Sequence, residues 1–252
     1  MLALLIKWSP ALNMPQPRVK LVVTGDDFGY CARRNRGIAE AFLAGGISNA
    51  SVLVNGASAD HAAQLAKRHC IPIGLHANLS EEVREVFARV LSDFGIPYTR
   101  VPVELGLHSC HFLPPSLREF YLQVEKDALQ SVEVFHRHGI RWPDVYLGLS
   151  TMGQNMSFSN LKRALTFALE ARTSITAQAD GHCAPESYRP ITAELMVHPG
   201  YPSFPLQGGC GEGPDDFSQS SDRLHELKTL RDPVLLSYYQ QQRILLCAFN
   251  DF

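Results

Sequence analysis

The sequence predicts an α/β fold built on a parallel sheet, and two observations carry that prediction. Strand-like runs rich in Val, Ile and Leu alternate with amphipathic helical runs from about residue 18 to the C-terminus, the order expected when helices pack outside a parallel sheet. No Pro- or Ser-rich linker divides two composition blocks and no internal repeat is visible. Residues 18–252 therefore read as a single domain, either doubly wound or closed as a barrel. Residues 1–17 are set aside as a flexible or mis-annotated start. Their apolar run at 2–6 is too short for a signal sequence, and Lys7 follows that run where a signal would place its charge first.

The elements follow in order. VKLVVT (19–24) is the first strand, and the run from Arg34 to Ala44 is an amphipathic helix stopped by Gly45-Gly46. ISNASVLV (47–54) is a strand, Ala59 to His69 a helix and IPIGLHANL (71–79) a strand. EEVREVFARVLSDFG (81–95) is a helix with Val83, Val86, Phe87, Val90 and Leu91 on one apolar stripe. YTRVPVEL (98–105) reads as a strand, Leu117 to His138 as a long helix, PDVYLGLST (143–151) as a strand and 158–171 as a helix. ITAELMVHP (191–199) is a strand, followed by a glycine-rich loop (208–214), a helix near 220–230 and the strand RILLCAF (243–249).

Composition narrows the function classes. The chain has 252 residues, 45% hydrophobic and 19% charged, with a formal charge of -2. That balance fits a globular protein and supplies no basic field for nucleic acid. No apolar run approaches the ~20 residues of a membrane-spanning helix, so no membrane partner is expected. Six cysteines lie far apart without a C-x-x-C pair. This fits reduced thiols and a cytoplasmic location, in which the sequons at Asn49, Asn78 and Asn155 are chance matches.

Chemistry is concentrated at strand ends. The first strand runs into Asp26-Asp27, a second ends at His76 of GLHANL and a third at His198 of LMVHPGYP. In parallel α/β folds, ligands bind at the carboxyl ends of strands. Carboxylate and imidazole together suit a divalent metal, whose charge would relieve the repulsion between adjacent aspartates. Neighbouring strand residues point to opposite faces, so Asp26 and Asp27 share a pocket only where the strand bends, which Gly25 and Gly29 would permit. Asp-Asp-Phe-Gly also reads as a β–α turn with an aspartate capping the next helix, and a strand-end histidine as a hydrogen-bonded structural residue.

TGDDFGY, followed by NRGIAEAF, SVLVNGAS, GLHANLS, GLST (148–151), MVHPGYP and GGCGEGPD (208–215), resembles the YdjC family of carbohydrate deacetylases. The resemblance implies a distorted parallel β/α barrel of polysaccharide-deacetylase type and a hydrolase that removes acetyl groups from N-acetylated carbohydrates. It also implies that Asp26 activates water as a base, that Asp27 and His76 bind the metal, and that His198 acts as general acid. Magnesium is the metal the family suggests, although imidazole ligation would also suit zinc.

The chain departs from the family pattern at one place. A histidine-rich D-x-H-x-H-V-H-x-x-P segment that supplies a further metal ligand follows GLH-x-NL in the family. Here GLHANLSE runs directly into EEVREVF. A strand is therefore expected to be missing between about residues 80 and 82, which would weaken the metal site and leave an open sheet edge. A truncated, inactive relative that binds only sugar or a partner protein is the alternative reading. HSCHFLPP (108–115) comes after the TRVP run rather than before it, so His108 and His111 are read as loop residues. Cys210, in GGCGEGP, is read as a structural thiol, and Trp142 and Tyr201 as core or wall aromatics rather than sugar platforms.

Overall fold

A ten-residue strand, β1 (Val19–Phe28), runs through the middle of the sheet. The computed structural model describes residues 16–77, 81–179, 189–211 and 213–252. Helix α1 (Ala32–Leu43) follows β1, then β2 (Asn49–Val52), α2 (Ala59–His69), β3 (Ile73–Leu75), α3 (Arg84–Asp93), α4 (Pro115–Arg137) and β4 (Val145–Leu147). The remaining elements are α5 (Phe158–Ala179), β5 (Ile191–Val197), α6 (Asp216–Gln219), α7 (Asp222–Leu230), α8 (Pro233–Gln241) and β6 (Ile244–Leu246).

Every strand pairing is parallel, as the strand–helix alternation predicts. The strand order is β3-β2-β1-β5-β4, with β6 paired to the first residues of β1. Since β5 lines one edge of β1 from Val19 to Gly25, β6 and β2 share the other edge, at its start and its end. Among the described residues no ladder joins β3 to β4, so the hydrogen-bonded sheet is open there.

The apolar face of each strand meets its crossover helices. Val19, Leu21, Val23, Ile38, Ala41, Leu147, Leu165, Leu195, Val197 and Leu227 belong to one buried cluster between β1, β4, β5 and helices α1, α5 and α7. Burying a side chain of this size contributes about 1.5–3 kcal/mol. Helices α3 and α4 stand apart from that cluster: Ala88, Leu91, Ala128 and Phe135 pack with Val101 and Ile140 in a smaller core of their own.

Several elements differ from the sequence-based expectation. The strand expected at 98–105 reduces to a bridge between Tyr98 and Arg141. Pro97 and Pro102 have no N–H to give a ladder, and the run instead buries Val101 while directing Arg100 inward. The stripe expected on the 81–95 helix divides in two. Leu91 is buried, whereas Val83, Val86 and Val90 are exposed. Helix α8, absent from the expectation, starts with the Asp232 carboxylate capping the Val234 N–H and Pro233 in the first turn, a recognisable start signal. The expected strand residues 78 and 79, Asn78 of the sequon and Cys183 lie outside the described residues, as do residues 1–15. The described cysteines Cys31, Cys70, Cys110, Cys210 and Cys247 form no disulfide. Among the described residues no helix is long and apolar enough to cross a membrane.

Candidate functional site

Asp26 and Asp27 lie within β1 rather than beyond it, and the backbone bends at the second of them. The pairing of β1 with β2 shifts register between Gly25 and Phe28, a bulge, and Asp27 takes the left-handed conformation with φ 66°. Gly29, with φ 110°, continues the turn. Gly25 serves packing instead: a Cβ there would sit 2.9 Å from Ile47 Cδ1. Neither aspartate caps α1. The cap is Cys31, whose sulfur accepts the Arg34 N–H. The capping alternative is therefore set aside, and the two carboxylates enter one cluster.

Asp26 is fully enclosed. Its Oδ1 accepts the Ser51 hydroxyl at 2.7 Å and Arg100 Nη2 at 2.9 Å, and its Oδ2 accepts Arg100 Nη1 at 2.6 Å. Arg100 also donates to Glu194 Oε1 at 2.7 Å, and the same oxygen accepts the Thr24 hydroxyl at 2.8 Å. Burial pushes the Asp26 carboxyl up, but the Arg100 charge and its hydrogen bonds outweigh that and hold it below the usual carboxylate value. Asp26 is ionised at neutral pH.

Asp27 is held from the other side. Its Oδ2 accepts Arg34 Nη1 at 2.9 Å and Arg223 Nη2 at 3.3 Å. Its Oδ1 faces His76 Nε2 across 3.9 Å. The His76 tautomer follows from Ser51, whose single hydroxyl proton goes to the Asp26 carboxylate. The 2.8 Å contact between Ser51 Oγ and His76 Nδ1 then requires the imidazole to donate. In the neutral form that tautomer has its proton on Nδ1, which leaves Nε2, 3.9 Å from Asp27 Oδ1, as the nitrogen with a free lone pair.

Two lone-pair donors this close suit a shared cation. The set is incomplete for a tightly bound ion: among the described residues, no group of three or more His, Cys, Asp or Glu side chains is placed to hold a metal.

His198 follows β5, and the β1–β5 register, Gly25 opposite Val197, sets it level with Asp26 on the neighbouring strand. Its ring packs edge-on against Phe217 with centroids 5.6 Å apart, and its buried Nδ1 has no hydrogen-bond partner among the described residues. Its backbone N–H donates to Glu226 Oε2, and Glu226 Oε1 accepts the Gly153 N–H at 2.7 Å. Burial pushes the Glu226 carboxyl up to about 7. Among the described residues the His198 ring makes no hydrogen bond to Asp26, Asp27 or His76. The structure thus brings Asp26, Asp27 and His76 into contact and leaves His198 on the same rim.

Sequence reasoning missed the residues that hold this cluster: Ser51, Arg100, Glu194, Arg34, Arg223 and Glu226. Only Arg100 carried a visible signal, as the basic residue of TRVP. Gly209 of the glycine-rich loop lies beside the cluster, its N–H donating to Tyr30 O and its C=O accepting the Ala57 N–H. Partial burial and the nearby Asp27 charge raise the Cys210 thiol pKa, which disfavours its thiolate. Tyr201 donates to Glu40 at 2.7 Å, Trp142 packs against the α3–α4 core, and His111 meets Arg118 at 2.8 Å in a loop.

The fold and the strand-tip cluster define a parallel α/β protein whose polar groups gather at the carboxyl end of its sheet. The chain belongs to the YdjC family: the family's model, described as YdjC-like protein, matches residues 20–83 and 81–241. It is 56% identical to a carbohydrate deacetylase of Danio rerio, with 95% of this chain and 100% of the relative covered. It is 40% identical to a carbohydrate deacetylase of Homo sapiens, with 94% and 92% covered. A crystal structure from Enterococcus faecalis V583, provisionally described as a cellobiose-phosphate cleavage protein, shares the fold with a TM-score of 0.54 at 15% identity, covering 93% of this chain and 98% of that one.

The comparisons also locate an internal gap. The Danio rerio alignment spans 313 positions against a chain of 252 residues, so at least 61 positions have no counterpart here. The two family matches meet at residues 81–83. That is where the sequence departs from the histidine-rich pattern.

Proposed function

We propose that the chain is a hydrolase that removes acetyl groups from N-acetylated carbohydrates with the help of a divalent metal, magnesium by family resemblance or zinc. The carrying observation is the 3.9 Å approach of Asp27 Oδ1 to His76 Nε2 beside an ionised Asp26. Relatives named as carbohydrate deacetylases support the substrate class.

Each residue has a distinct task in this reading. Asp27 and His76 would hold the cation, which when bound supplies Lewis acidity towards an amide carbonyl and makes water easier to deprotonate. Asp26 takes the proton of the attacking water. Three of its roughly four acceptor positions are filled by Ser51 and Arg100, leaving one on Oδ2. Arg100 fixes that carboxylate in place and keeps it ionised. His198 lies level with Asp26 on the same rim and serves as general acid to the leaving amine, with its backbone anchored by Glu226.

A second reading is favoured by the internal gap together with Arg100 occupying both Asp26 oxygens. In it the chain binds acetylated sugar without hydrolysing it. Acetate release from N-acetylated chitooligosaccharides, with and without chelator, separates the two. Chelator-sensitive release that Asp26→Asn abolishes supports hydrolysis. Sugar binding without release, unchanged by Asp26→Asn, supports the second reading.

A further inference from the structure

The loop that leaves β5 at His198 carries an apolar turn that packing does not explain. Phe204, Pro205, Leu206 and Gln207 form a β-turn, closed by the Gln207 N–H on Phe204 O at 3.1 Å. Leu206, with φ 65°, takes the conformation that the third position of a type II turn requires, where Gly or Asn is favoured. Leucine is strained there and gains no burial in return, since it is 96% exposed. Phe204 is 50% exposed. The turn is pinned on both sides: the Ser203 hydroxyl lies 3.5 Å from Cys31 Sγ, and Gly209 N–H donates to Tyr30 O at 3.1 Å. Tyr30 and Cys31 follow the bulge at Asp27, so the turn stands on the rim of the candidate site. Arg33 completes this surface. Its guanidinium stacks 4.3 Å from the Phe204 ring centroid, and its Nε donates to Pro202 O at 2.7 Å. Arg33 is partly exposed, and its Nη1 and Nη2 make no hydrogen bond among the described residues.

We infer that this turn is a second sugar subsite, which takes the ring next to the one deacetylated in an oligosaccharide. A β-linked 2-acetamido sugar carries its ring substituents equatorially, so each ring has a face of axial C–H groups and a rim of hydroxyls. Phe204 and Leu206 offer apolar surface to the C–H face, and Arg33 offers its two Nη groups to the hydroxyls. A purely apolar ligand would leave those donors unpaired, whereas a sugar ring uses both kinds of surface. The exposed, strained leucine is then explained by the ligand it covers rather than by the fold. The inference takes from the proposed function only that the substrate is an N-acetylated sugar chain.

Calorimetric titration of the full chain with N-acetylglucosamine and with triacetylchitotriose tests this, every protein carrying Asp26→Asn so that no sugar is consumed. The longer sugar is expected to bind about tenfold tighter than the monosaccharide, because stacking on the turn buries further apolar surface. Phe204→Ala and Leu206→Gly each bring that ratio close to one, while Phe204→Trp keeps it. Glycine suits the third position of the turn, so Leu206→Gly loses the preference with no fall in melting temperature. An Asp26→Asn protein that binds both sugars equally overturns the inference, as does a length preference that survives both Phe204→Ala and Leu206→Gly. Acetate release by the wild-type chain is read separately. Its absence overturns hydrolysis and leaves the subsite standing, since the titrations need no turnover. Release without any length preference in binding overturns the subsite and leaves hydrolysis standing.

Discussion

Arg100 grips Asp26 with two nitrogens, Nη1 at 2.6 Å from Oδ2 and Nη2 at 2.9 Å from Oδ1, and reaches Glu194 with the second of them. The two carboxylates are almost fully buried, and this guanidinium is shared between them. Removing the cation leaves two buried charges without their partner. Arg100→Met is therefore expected to destabilise the fold by about 3–5 kcal/mol, the usual cost of breaking a buried pair, read as a fall in the urea midpoint. Arg100→Met combined with Asp26→Asn should recover part of that loss, because one stranded charge disappears. A single variant as stable as wild type would show that the grip contributes nothing to folding.

Ser51 offers a test of the cation site that leaves both proposed ligands in place. Its hydroxyl fixes the His76 tautomer and holds Asp26. Groups that orient a metal-bound histidine typically contribute about 10–100-fold in metal affinity. Ser51→Ala should weaken calorimetric binding of magnesium or zinc by about that factor, while Asp27→Ala should abolish it. Equal heats from all three proteins would place any bound cation elsewhere.

How much of this was legible in the sequence depends on whether each feature is local. The strand and turn composition of VKLVVT, and the run from Ala59 to His69, are set by nearby residues, and both appear where expected. The Asp27 and His76 pair was legible because both sit at strand ends, where parallel folds collect ligands. Arg223 was not, since 196 positions separate it from Asp27 and only packing brings them together. Arg34 is only seven positions away, but periodicity does not show that its side chain turns back to the bulge at Asp27. The run at 98–105 misled for a related reason. A strand needs a neighbouring edge, and periodicity within the run cannot reveal whether one is present.

Glu226 predicts a pH dependence of stability with a definite sign. Its carboxyl is raised from 4.5 to about 7 by burial, so between those values the native state holds a proton that the unfolded chain has released. Stability contributed by this group is present below the unfolded value and is lost as pH rises towards 7. The loss should approach roughly 3 kcal/mol by linkage. Urea unfolding at a series of pH values checks it, with Glu226→Gln expected to flatten the decline. Asp26 acts in the opposite sense and at lower pH, since its carboxyl is lowered. Identical pH profiles for the two proteins would rule out Glu226 as the cause.

The two apolar faces of α3 should respond to substitution very differently, although their residues are adjacent in sequence. Leu91 is buried among Ala88, Ala128, Phe135 and Ile140. Leu91→Ala removes three heavy atoms from that small core and is expected to cost about 2–5 kcal/mol. Val90 is 42% exposed on the face it shares with Val86 and Phe94, which are 51% and 78% exposed. A side chain on that face has little packing to lose, so Val90→Ala should change stability by no more than about 0.5 kcal/mol. Val86→Lys and Val90→Lys should also leave the melting temperature nearly unchanged while raising solubility, because each interrupts an exposed apolar stripe. Denaturant melts and a precipitation assay on these variants give a direct reading. A large loss from Val90→Ala would mean that this face is covered in solution by something that packs as tightly as α4 does on the other side.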